Sequence, residues 1–145
     1  MSLSYDYVLK RIKAKEVTNL VHELVKVKSE TGKEHDVVEF FAEILKSIGL
    51  EVRLQVIDRW NRSNVIGRIP GNTDGSPSLM LNGHLDTIPL GECVKERIDW
   101  DEGKIYGRGA CDNKGALGAA TIAGKALLES ELNLPGDLYF VGVVG

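Results

Sequence analysis

Apolar residues recur along this chain first at helical spacing and then at strand spacing. Tyr5, Val8, Leu9 and Ile12 fall three or four apart, and so do Val17, Leu20, Val21, Leu24 and Val25. Each set makes one apolar face of a helix. The two sets slip out of phase near residues 13–15, and Lys10, Arg11, Lys13 and Lys15 read as a solvated face. A further helix carries Val37, Val38, Phe41, Ile44, Leu45 and Ile48 on one side. Before it, Thr31-Gly32-Lys33-Glu34 has the spacing of a capping box, with a hydroxyl at the cap and Glu three residues on. Gly49 ends this helix, and Leu50 is placed to pack back on it.

The period then changes to two. Residues 51–57 put Val52, Leu54 and Val56 on one side and Arg53 and Gln55 on the other, which predicts a half-buried strand. Residues 64–69 predict a second strand, and 70–77 a long turn rich in Gly, Pro and Asn. The short, mostly apolar run 78–81 suits a strand buried on both faces, released at Asn82-Gly83. Residues 94–100 and 104–106 predict a hairpin around Asp101-Glu102-Gly103. The segment after Asp112 predicts a helix of small residues, with Leu117, Thr121, Gly124 and Leu128 on one face. Residues 134–137 turn the chain into a last, central strand over 138–144. Helices alternating with buried strands on short links predict an α/β fold, a mixed sheet between helices.

Composition narrows the function classes. A chain of 145 residues is the size of one domain. A net charge of −3 has the wrong sign for nucleic acid, so no nucleic-acid partner is expected. No apolar run approaches the roughly 20 residues of a membrane span, and no secretory leader is recognisable. The expectation is a cytoplasmic protein with no membrane partner. Cys93 and Cys111 then read as free thiols, Cys111 as a small residue packed behind its loop. No C-x-x-C spacing supports structural zinc. His22, beside an apolar stripe, reads as structural, and His35 as a surface residue.

Chemistry concentrates after residues 78–81. His84 and Asp86 stand two apart, so in extended chain they point the same way. Their place is the rim at a strand end, where open α/β sheets bind ligands. A metal-ligating His usually gives its second ring N–H to a carboxylate, which fixes the tautomer. A second carboxylate, Asp112, lies between the glycine-rich Gly107-Arg108-Gly109 and the start of a helix. A side chain there projects from a loop held by a rigid scaffold.

Gly-His-Leu-Asp-Thr-Ile-Pro (83–89) and Tyr-Gly-Arg-Gly-Ala-Cys-Asp-Asn-Lys-Gly (106–115) together resemble the M20 metallopeptidase family. That family includes acetylornithine deacetylase, succinyl-diaminopimelate desuccinylase and aminoacylase, and the resemblance runs from about Val17 onward. It implies a zinc-exopeptidase-like catalytic domain and a two-metal hydrolase of amide bonds, loaded with two Zn2+ ions, with Co2+ or Mn2+ as alternatives. Its substrates would be N-acyl amino acids or short peptides. His84 would bind one metal, Asp86 would act catalytically by orienting His84, and Asp112 would bridge both ions across a cis bond to Asn113. Asn64 also matches a family position, whose role there is structural. The Asp-Pro-Phe that relatives often carry after the first motif is absent here.

In the family two adjacent glutamates, the general base and a metal ligand, follow the last strand at once. Here that place lies past Gly145. Residues 1–145 are therefore expected to be the N-terminal part of a truncated catalytic domain, inactive alone, its homodimer-forming domain and remaining ligands further on. Two other readings stand beside this one. The first is a non-catalytic domain that kept the fold. The second is a phosphate- or nucleotide-binding module built on the glycines before Lys114, although neither Gly107-x-Gly109 nor Gly124-Lys125 completes a phosphate-loop motif.

Overall fold

The computed structural model describes residues 5–89, 91 and 95–145. Helices α1 (Tyr5–Leu9) and α2 (Ala14–Lys26) are separated at Lys13, whose extended backbone explains the change of phase between the first two apolar sets. Helix α3 (His35–Ser47) precedes β1 (Glu51–Val56), β2 (Ser63–Ile69) and β3 (Leu79–His84). The predicted hairpin forms as β4 (Arg97–Asp99) and β5 (Lys104–Tyr106), paired antiparallel. Its predicted first residue, Val94, lies with Cys93 outside the described residues. Helix α4 (Gly115–Glu129) and β6 (Leu138–Val143) complete the order.

The main sheet runs β1-β2-β6-β3. Its first two pairings are antiparallel, while β6 and β3 are parallel. The sheet is thus mixed, as the pattern predicts, and β6 is interior. One face carries Val65, Ile69, Leu138 and Phe140 into a core with Leu24 of α2, Val37, Phe41 and Leu45 of α3, and Leu117 of α4. Burying each such side chain contributes about 1.5–3 kcal/mol. The small residues of α4 set its distance from this core. A Cβ on Gly124 would lie 2.5 Å from Cζ of Phe140, and one on Gly118 would lie 2.5 Å from Cγ2 of Val21. The opposite face is polar at Arg68, which donates to both carboxylate oxygens of Asp137 at 2.8 and 3.0 Å and to Glu51 at 2.9 Å. That guanidinium, helped by the Gly71 N–H and the Tyr139 hydroxyl, holds the Asp137 carboxyl well below the usual carboxylate range.

Four local expectations differ from the structure. Strand β3 is not buried on both faces. It is the sheet edge, and Leu79 and Met80 are 60% and 57% exposed. Nor does Asn82-Gly83 release it, since Asn82, Gly83 and His84 stay in register with Val141, Gly142 and Val143. Gly83 serves the approach of α4, because a Cβ there would sit 3.0 Å from Leu117. On β1 only Val52 packs on the core, while Leu54 and Val56 lie exposed on the other edge strand, beyond the core's reach. The capping box does not form. Helix α3 starts at His35 without a side-chain cap. Glu34 is buried and accepts the Gly32 N–H at 2.8 Å, and Thr31 turns to a partner 55 residues away.

Candidate metal centre

Parallel pairing brings the carboxyl ends of β3 and β6 to one rim, and His84 is the last residue of β3. Its Nδ1 lies 2.9 Å from the main-chain carbonyl oxygen of Asp86 and 3.3 Å from the Asp86 carboxylate. The expected side-by-side pair is therefore present, with the main-chain oxygen as the nearer acceptor. Nε2 faces the other way and lies 2.8 Å from Oδ1 of Asp112. The structure thus gathers all three predicted residues at one rim.

With an acceptor at each ring nitrogen, the arrangement favours the doubly protonated imidazolium. Partial burial opposes that charge. The hydrogen bond to Asp112, the bond to the Asp86 carbonyl and the two nearby carboxylates together outweigh it, so the pKa of His84 is raised.

Asp112 is held by a wide helical turn, Ala110–Lys114, that leads into α4. Its own backbone is extended (φ −131°, ψ 94°), and its peptide bond to Asn113 is cis, as the resemblance implies. The carboxylate stands out into the cleft, while Lys114, two residues on, is fully buried. The Lys114 ammonium donates to the carbonyl of Val27, the C-cap residue of α2, at 2.6 Å. Burial pulls its pKa down to about 8. Gly109 adopts φ 85° and lets the turn close on Thr87 and Lys114. The absent Cβ of Gly107 would meet Val25 at 2.4 Å. These glycines face protein atoms rather than forming an open phosphate cradle. Lys125 is likewise committed, to Glu16.

Asp86 is fixed from a segment whose role the sequence pattern did not signal. Thr31 Oγ1 donates to Asp86 Oδ2 at 2.7 Å. The main chain around it is pinned by Thr87 N–H to Ser29 O at 2.7 Å and Thr31 N–H to Thr87 O at 3.1 Å. Thr31 and Lys114 were both missed as supports of the site. Thr31 fitted a local cap, and nothing in the sequence marks Lys114 as buried. Asn64 accepts the Val144 N–H at 3.1 Å. Arg62 donates to the carbonyl of Gly145 and to Asp58.

Cys111 is exposed and lines the cleft with His84, Asp86 and Asp112, so it is not packed behind the loop. The wide turn points it outward together with Asp112. His35 is exposed beside Glu39, as read from the sequence. An imidazole nitrogen opposed to a carboxylate oxygen at an open rim is a donor pair suited to a borderline divalent cation. Among the described residues no group of three or more His, Cys, Asp or Glu could hold such an ion, so this pair is a partial site. No helix among them is long and apolar enough to cross a membrane.

Residues 80–145 match the model of peptidase family M20/M25/M40. A succinyl-diaminopimelate desuccinylase of Pseudoalteromonas atlantica is 30% identical over 131 residues, covering 87% of this chain and 34% of the relative. An N-formyl-4-amino-5-aminomethyl-2-methylpyrimidine deformylase of Bacillus subtilis is 36% identical over 104 residues, covering 61% and 23%. A tripeptidase structure from Staphylococcus aureus superposes with a TM-score of 0.74 at 26% identity, over 93% of this chain and 37% of that one. The di-peptidase Dug1p of Saccharomyces cerevisiae shares the fold with a TM-score of 0.77 at 20% identity, over 98% and 35%. The chain thus spans between 23% and 37% of the length of these relatives.

Proposed function

We propose that this chain, whose residues 80–145 are those of peptidase family M20/M25/M40, is the N-terminal part of the catalytic domain of a metal-dependent amidohydrolase. One observation carries the reading: His84 Nε2 and Asp112 Oδ1 meet at 2.8 Å on an open rim, with Asp86 behind the imidazole. Substrates of the class N-acyl amino acid or short peptide fit relatives named as a succinyl-diaminopimelate desuccinylase and a probable carboxypeptidase, and the deformylase shares with them only the cleavage of an N-acyl bond.

In this reading His84 and Asp112 would hold divalent cations, Zn2+ with Co2+ or Mn2+ as alternatives. Cations held there would supply Lewis-acid polarisation of a scissile carbonyl and acidification of water. The chain's own part is orientation. The Asp86 carbonyl and carboxylate keep Nδ1–H engaged and turn Nε2 toward Asp112, the side on which a cation would replace the Nε2 proton. Lys114 holds the turn that presents Asp112. A proton must also move from water to the leaving amine. Asp86 and Asp112 are both committed to His84, and the other described residues of the cleft supply no further carboxylate. The shuttle is assigned to residues past Gly145.

The test is a panel of acetyl-, succinyl- and peptidyl-amino acids with added zinc or cobalt. The 145-residue chain should turn over none. A longer protein that continues past Gly145 should hydrolyse a member of the panel, lose this with chelator, and lose it in His84→Ala. If the longer protein is inactive on every member, or its activity survives His84→Ala, the reading is wrong.

A further inference from the structure

We infer that Thr31 is a positioning residue of the metal centre, holding the Asp86 carboxylate against His84. The inference rests on the cation-binding reading given above. Asp86 reaches His84 with Oδ1 at 3.3 Å, and its other oxygen, Oδ2, is taken by the Thr31 hydroxyl at 2.7 Å. A carboxylate on a single-bonded stem can turn about its last torsion. A donor fixed at one oxygen aims the other. Thr31 is itself anchored, because its N–H donates to Thr87 O and the adjacent Glu30 pairs with Thr87 in a parallel bridge.

The third wall of this carboxylate is Gly145. A Cβ there would lie 2.5 Å from Asp86 Oδ2 and 3.1 Å from Thr31 Cγ2. Asp86 is thus enclosed by a hydroxyl, an imidazole and a close main chain, each from a different segment. Thr31 is solvent-exposed and its side chain is outside the apolar core. Packing alone therefore gives no reason for a Thr there.

Residues that support metal ligands from behind are worth about 10–100-fold in metal affinity. Thr31 acts one bond further out, so the lower end, about tenfold, is expected. The experiment uses the metal-free 145-residue chain, isotope-labelled for NMR, as wild type, Thr31→Val, Thr31→Ser, Asp86→Asn and His84→Ala. The first readout is the chemical shift of the His84 Nδ1–H proton, which reports the nearby carboxylate. It should move upfield in Thr31→Val, toward its position in Asp86→Asn, and stay at the wild-type value in Thr31→Ser. The second readout is the Co2+ concentration that half-broadens the His84 signals. It should rise about tenfold in Thr31→Val and not in Thr31→Ser.

An unmoved Nδ1–H in Thr31→Val overturns the inference. So does a moved Nδ1–H with unchanged Co2+ sensitivity, or equal damage in Thr31→Ser. Wild-type signals that ignore Co2+ would instead refute the cation-binding reading, and the Nδ1–H shift would still decide whether Thr31 aims Asp86.

Discussion

His84 and Asp112 are 28 residues apart in sequence, and their side chains meet at 2.8 Å. A strand end supplies one and a glycine-flanked turn the other, so the pair depends on α4 and β3 keeping their places. Two donors are half of the roughly four that a zinc site wants. Zinc binding by this chain is therefore expected to be weak, and calorimetry should find it lost in His84→Ala. Tight stoichiometric binding that ignores this substitution would move the site elsewhere.

The raised pKa of His84 gives a stability signature. A group whose folded pKa exceeds its unfolded value, here 6.5, adds its full stabilisation below that value. The contribution is lost as pH rises through the folded value. Urea titrations between about pH 5 and pH 9 should find the wild type ahead of His84→Gln in acid, with the advantage fading toward alkaline pH. Zinc affinity should run the opposite way, because the cation must displace the Nε2 proton. An advantage that grows with pH would contradict the pairing with Asp112.

What was legible in the sequence follows from how local each signal is. Helices α2, α3 and α4 follow from apolar spacing, and α4 buries Leu117, Thr121 and Gly124 on the predicted face. His84 and Asp86 stand two apart at a strand end and Asp112 follows a glycine-rich turn, and the resemblance of both stretches to the M20 family is what joins the three as one site. Burial of β3 was misjudged because an apolar run records what a strand can face, while its neighbours in the sheet are set by distant chain. Thr31 and Glu34 matched a cap by spacing, but Asp86, 55 residues on, takes the Thr31 hydroxyl, and Glu34 turns to the Gly32 N–H and to Arg62. Lys114 is an ordinary charged residue in sequence, and only the fold reveals it as buried.

Gly124 tests the packing of α4. Alanine in a helix interior gains about 1 kcal/mol over glycine in propensity. Here the new Cβ would come 2.5 Å from Cζ of Phe140, within a ring that fills the core. Overpacking a close-packed core costs about 1–3 kcal/mol. Gly124→Ala should therefore be neutral to destabilising by up to about 2 kcal/mol, read from the urea midpoint at unchanged slope. A clear gain in stability would mean that the Phe140 ring has room to retreat.

Lys114 carries the last prediction. Its side chain is buried beneath the turn that presents Asp112, and its ammonium meets the C-terminal end of α2 at the Val27 carbonyl. A cation suits that end of a helix. Burial nevertheless disfavours the charge and lowers the pKa from 10.5 to about 8. Between those two values the unfolded chain binds more protons than the folded one, so stability must rise with pH there. Below about pH 8 both states are charged, and this group adds no slope. The full rise corresponds to about 3 kcal/mol, at 1.36 kcal/mol per pKa unit. Lys114→Met removes the titrating group and should flatten the curve between pH 8 and pH 10.5 relative to the wild type. In exchange, methionine leaves the Val27 carbonyl without its donor, so the turn should loosen around Asp112. Urea titrations of both proteins across that range, with amide exchange at residues 110–114, would measure the two effects separately. Parallel stability curves for wild type and Lys114→Met would mean that Lys114 titrates as an ordinary exposed lysine.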